Sequence, residues 1–162
     1  MAKDVLVSVK GTQFIDGEKD SVEVITNGTW YEKNGKQYLI YEETYEGMQA
    51  TTKNTVKISP EIVEVTKKGA VSSKMIYELG KQHMSDYMTP MGLIVLGITT
   101  KDLFVEANAD KLRMELRYAM EMNGQFVSDS ILEITATVRG AEALRLNLGG
   151  RYESDTKRYL RA

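Results

Sequence analysis

At 162 residues the chain holds about one domain, long enough to bury a real core. A net charge of -2 and a pI near 5.6 leave no broad basic face for an electrostatic nucleic-acid binder. There is no cysteine, so no disulfide framework and no thiolate chemistry, and no stretch is apolar for long enough to span a bilayer as a helix.

The first stretch, MAKDVLVSVKG, alternates apolar and polar residues and lacks the apolar run of a secretory signal, which fits a cytoplasmic protein. Val5, Val7 and Val9 share one face of a first strand. Val22, Val24 and Thr26 share a face of the second, with Trp30 in the same parity. In the run QYLIYEETYEG, residues 37–47, Leu39, Tyr41, Glu43 and Tyr45 point one way and Tyr38, Ile40, Glu42 and Thr44 the other. Thr52, Asn54, Val56 and Ile58 follow, then Val63, Val65 and Lys67, then Val71, Ser73, Met75, Tyr77 and Leu79. Leu93 to Ile98 is apolar on both faces, so something covers that part of the wall. Leu112, Met114, Leu116, Tyr118, Met120 and Met122 oppose a charged face, and Phe126, Leu132, Ile134, Ala136 and Val138 continue the inner face on a last strand.

Asn27-Gly28, Asn34-Gly35 and Asn123-Gly124 read as tight hairpin turns, although at Asn27-Gly28 a bulge before Trp30 looks the same. Ser59-Pro60, Lys68-Gly69 and Pro90-Met91-Gly92 mark further breaks. About eight to ten half-buried strands at this spacing, without the long crossovers of a parallel sheet, point to a closed barrel or a sandwich. Since most have one apolar face only, the expectation is an all-β antiparallel up-and-down barrel over residues 1–138. Residues 139–162 form an extension in which alternation is lost; Ala141 to Leu148 suits a short helix ended by Gly149-Gly150, and the last twelve residues a mobile arm. Five of the seven arginines lie in this extension.

The runs YLIYEE, TKNTVKIS, VTKKGAVSSKMIYELG, DYMTPMGLIVLGITT and LRMELRYAMEMNGQ resemble, in order, the YwiB-type family of bacterial proteins. The resemblance covers roughly residues 3–138. It implies a calycin-like, lipocalin-like barrel of unknown function and a cytosolic bacterial origin, and it carries over no catalytic residue. Lys67 stands where such proteins often have Arg, and the extension after Val138 has no counterpart in the pattern.

Parity turns Lys67 inward with Val63 and Val65. A buried ammonium is costly unless paired, and Glu43 or Glu42 is the natural partner. The pair is either a structural bridge at the barrel rim, with Lys67 snorkelling to water, or the polar end of a ligand site. Met75, Met114, Met120 and Met122 join Tyr77, Tyr118, Phe126 and Leu132 on the inner face. They either fill the barrel as core or line a cavity for one small, largely apolar ligand. The expected binding residues are therefore Lys67, Glu43, Met75, Tyr77, Met114, Tyr118, Met120 and Phe126. Aromatic residues about Trp30, Tyr31 and Tyr38 offer an outer face for a homodimer or another protein, as does the extension.

Gly28-Thr29-Trp30 matches the G-x-W of lipocalins, a motif short enough to arise by chance. His83, the single histidine, reads as a solvated turn residue. No zinc spacing, phosphate loop or dinucleotide fingerprint is present, so no metal, cofactor or catalytic residue is assigned. The leading expectation is a small-molecule-binding barrel. A protein-interaction module comes second, and an enzyme using Glu43 and Lys67 as acid and base last.

Overall fold

The computed structural model describes residues 1–44 and 50–140. Ten strands run in chain order: β1 (Lys3–Ile15), β2 (Glu18–Lys33), β3 (Lys36–Thr44), β4 (Thr51–Ile58), β5 (Ile62–Gly69), β6 (Ser72–Glu78), β7 (Gln82–Thr89), β8 (Gly92–Ala107), β9 (Lys111–Met122) and β10 (Gln125–Val138). Each is hydrogen-bonded antiparallel to its neighbours in sequence, and β1 pairs with β10, so the sheet closes into a barrel. The expected extension helix at Ala141–Leu148 and the terminal arm lie outside the described residues.

Local chemistry accounts for the turns. Asn34-Gly35 and Asn123-Gly124 adopt positive φ at both residues, as two-residue hairpins require. Asp16-Gly17 does the same between β1 and β2 and is a hairpin that the sequence reading missed. Asn27-Gly28 is no turn. It lies within β2, where a Cβ on Gly28 would come 2.7 Å from the Ile40 carbonyl oxygen and 2.7 Å from Val7 Cγ2. The glycine lets β1 and β3 pack close to β2.

Inward parity builds the core. Val5, Val7, Leu39, Val56, Val63 and Leu116 are fully enclosed, and each such side chain contributes about 1.5–3 kcal/mol relative to exposure. Two bulges reset the parity: β8 shifts between Thr100 and Asp102, and β10 between Phe126 and Ser128. The second corrects one expectation. Phe126 sits opposite outward-facing Glu121, whereas Ser128 sits opposite inward-facing Met120. Phe126 is therefore on the outside, 64% exposed, and lines no interior site.

Three further expectations change. Trp30 is buried in the core, its indole N–H donating to Gln37 Oε1 at 2.6 Å, so it takes no part in an outer aromatic face. Val22 and Val24 have inward parity but are exposed, because β3 pairs with β2 only from Gly28 to Lys33 and the first half of β2 runs beside β1 at the rim. His83 lies on β7 rather than in a turn, and its Nε2 is 2.8 Å from Glu78 Oε1.

Gly28→Ala is expected to cost about 1–3 kcal/mol by overpacking. Gly11→Ala, where an added Cβ meets nothing within 4 Å, is the control and stays within about 0.5 kcal/mol of the parent. Urea unfolding midpoints of the two variants measure the difference.

Candidate functional site

The run of mixed faces in β3 resolves in the barrel wall. Leu39 and Tyr41 are buried inside, and Glu43 follows in the same parity. On the outer face Tyr38 stacks on Tyr31, with ring centroids 5.0 Å apart and planes 3° from parallel. Glu42 is outside and exposed, so Glu43 is the partner of Lys67.

Register carries a polar band round the inner wall. Asn54 of β4 stands opposite Tyr41 on one side and Lys67 of β5 on the other. Lys67 stands opposite Ser73 of β6, and Ser73 opposite Tyr87 of β7. All of these lie toward the end of the barrel that holds the β1–β2, β5–β6, β7–β8 and β9–β10 turns, which we call the mouth.

Three side chains close a ring of hydrogen bonds there. Lys67 Nζ donates to Glu43 Oε1 at 2.8 Å and to Asn54 Oδ1 at 2.7 Å, and Asn54 Nδ2 donates to Glu43 Oε1 at 2.8 Å. Asn54 is fully buried, while the Lys67 and Glu43 side chains keep 12% and 27% of their surface. The ion pair thus has a buried floor and an edge that reaches solvent, which spares it part of the desolvation cost of a sealed pair. Next along the band, the Ser73 hydroxyl is buried and has no hydrogen-bond partner among the described residues.

A tyrosine group adjoins this ring. Tyr77 packs edge-on against Tyr118, with centroids 5.0 Å apart, and its hydroxyl lies 3.8 Å from Met75 Sδ. Burial, reinforced by the charge of neighbouring Tyr118, raises the Tyr77 phenol well above its usual range. Burial raises Tyr87 as well, and the Glu43 carboxylate adds to the shift. Tyr118 is also raised by burial.

Of the eight residues read from the sequence, the structure brings Lys67 and Glu43 into direct contact. Met75, Tyr77 and Met114 are buried in the core, while Tyr118 and Met120 are partly buried and pack against it. Phe126 lies apart on the outer face. Asn54, Ser73 and Tyr87 were missed. Asn54 had a readable signal, a lone amide in the inward run Thr52, Asn54, Val56, Ile58. Among the described residues no three His, Asp or Glu side chains gather as a metal site would need, and no helix is long and apolar enough to cross a membrane.

The chain belongs to the family described as a domain of unknown function (DUF1934), whose model matches residues 7–134. It is 26% identical over 136 residues to the uncharacterized beta-barrel protein YwiB of Bacillus subtilis (strain 168), an alignment spanning 84% of this chain and 93% of that protein. The crystal structure of the ywiB protein from Bacillus subtilis superposes with a TM-score of 0.76 at 26% identity, over 85% of this chain and 92% of that one.

The buried tyrosines set an alkaline limit. A phenol whose native pKa lies above its unfolded value, about 10, holds in the folded state a proton that the unfolded chain releases. Its stabilisation is complete below the unfolded pKa and is lost as pH rises through the folded one. Ultraviolet titration should show exposed tyrosines ionising first, and the Tyr77 fraction ionising only together with loss of far-ultraviolet dichroism. Tyr77→Phe should flatten that alkaline limb.

Proposed function

We propose that this member of the family is a calycin-like, lipocalin-like barrel that binds a small molecule at its mouth. The observation carrying the reading is the ring of Lys67, Glu43 and Asn54, an inward-facing charged network that stays open to solvent at one edge. Lys67 has three donors, of which two are used within the ring, and the Ser73 hydroxyl beside it has no partner among the described residues. Together they suit a ligand whose head group accepts hydrogen bonds, such as a carboxylate or a carbonyl. The apolar body would lie against Tyr87, Tyr118 and Met120, which pack on the core without being sealed in it. Met75, Tyr77 and Met114 then act as the floor beneath the ligand. Binding rather than turnover fits, because Glu43 and Lys67 hold one another in place. The YwiB relative of Bacillus subtilis supports a bacterial setting, and a cytoplasmic one belongs to the same proposal.

The test is native mass spectrometry after incubation of the whole chain with a mixed metabolite extract. A retained adduct should weaken at least about tenfold, or 1.4 kcal/mol, in Lys67→Gln and in Tyr87→Leu, and persist in Phe126→Ser. Absence of any adduct, or equal retention in folded Lys67→Gln, overturns the reading.

A second reading rests on the outer wall. Met84, Met88, Leu93 and Phe126 are exposed there. Register places Met84, Gly97, Glu121 and Phe126 in one row across β7 to β10, with Met88 opposite Leu93 nearer the β7–β8 turn and the Asp86–Val95 pair between. Such a band suits contact with a second copy of the chain. Light scattering should then show a dimer that becomes a monomer in Met88→Lys/Leu93→Lys; a monomeric parent rules the contact out.

A further inference from the structure

The outer face of β4 and β5 carries a feature that lies beyond ligand binding at the mouth. Lys53 stands directly opposite Lys68 across the ladder, and Thr55 stands opposite Thr66 one pair further along. These four residues line a groove of about 240 Å³. Like charges placed directly opposite on one sheet face destabilise it. Neighbouring lysines avoid that cost: Lys57 lies 3.6 Å and Lys74 3.3 Å from the Glu64 carboxylate. Lys53 and Lys68 have no carboxylate within 4.0 Å among the described residues, although Glu42 is the cross-strand neighbour of Lys53 on β3. Both lysines are exposed and the two threonines are half-buried, so the cations rim the groove and the hydroxyls lie deeper.

We propose that this groove is an anion site that takes the phosphate group of a small phosphate monoester. Two ammonium groups flanking two hydroxyls supply the charge-assisted and neutral donors that phosphate oxygens accept. A dianion seated between Lys53 and Lys68 also removes their mutual repulsion, so the like-charge pair makes sense as a ligand-dependent one. The site stands independently of the mouth. It shares only the strands, since Asn54 lies between Lys53 and Thr55, and Lys67 between Thr66 and Lys68, with their side chains on the opposite face.

Titration of the whole chain, followed by amide chemical shifts, tests this with inorganic phosphate and phenyl phosphate as probes and chloride at matched ionic strength as reference. Saturable shifts centred on Lys53, Thr55, Thr66 and Lys68, at least tenfold weaker in Lys53→Gln/Lys68→Gln and unchanged in Lys57→Gln, would support the site. A response equal to that of chloride, one that survives the double substitution, or one lost equally in Lys57→Gln would overturn it. Lys68→Glu gives a second readout with the opposite sign: it should abolish phosphate binding while raising the thermal midpoint, because it turns the repulsive pair into an attractive one. Phosphate binding retained in Lys68→Glu would also overturn the proposal. Dimethyl phosphate, a model of a nucleic-acid or phospholipid diester, should bind more weakly than phenyl phosphate; the reverse order would reject a monoester ligand.

Discussion

The ladder between β1 and β10, from Val5 opposite Val138 to Phe14 opposite Asp129, turns a meander into a closed wall. Once it forms, a side chain on a fully paired strand has two destinations, and strand parity decides between them. The hydrophobic gain comes from one set of parities, and the other set can be polar without penalty. The same constraint makes any charge of inward parity expensive, which is why Lys67 is held by both a carboxylate and an amide.

That rule explains what was readable in the sequence. The runs on β1, β4, β5 and β9 alternate cleanly, and their inward apolar residues are in the core or packed against it. The inward turn of Lys67 followed from the same counting, which left Glu42 and Glu43 both open as its partner; the structure selects Glu43. Failures occur where counting is interrupted. Nothing in the stretch Gln125 to Ser130 announces the extra residue that puts Phe126 outside, because a bulge is fixed by how β10 meets β9 and not by its own pattern. Val22 and Val24 have the right parity but no strand beyond β2 to cover them, which is a property of pairing length. Gly28 looked like a turn because Asn-Gly usually is one; the reason for the glycine lies in Val7 and Ile40, residues from two other strands.

The candidate site was legible only in part, for a related reason. Parity can say that Lys67 and Glu43 face inward, but not that Asn54 bridges them, nor that Ser73 and Tyr87 continue the band across two more strands. Those neighbours are set by the stagger of the barrel, which no single strand records. The methionines divide by depth. Met75 and Met114 are sealed in the core, whereas Met120 and Met122 near the mouth are only partly covered. Identical chemistry on identical parity thus gives floor at one level and rim at another.

The order of the strands also bears on how the chain reaches this state. Among the described residues, nine of the ten ladders join strands adjacent in sequence, and only the β1–β10 seam joins residues more than a hundred positions apart. Hairpins with short turns form from local encounters, while the seam must bear the entropy of bringing distant ends together. Assembly by successive hairpins would leave that seam to close last, yet once closed it is held by an unbroken ladder from Val5 to Phe14, whereas β6 meets β7 only at Ser72 opposite Met88 and Ser73 opposite Tyr87. The thinnest join in the wall is thus not the seam that closes last, and it adjoins Lys67 through Ser73.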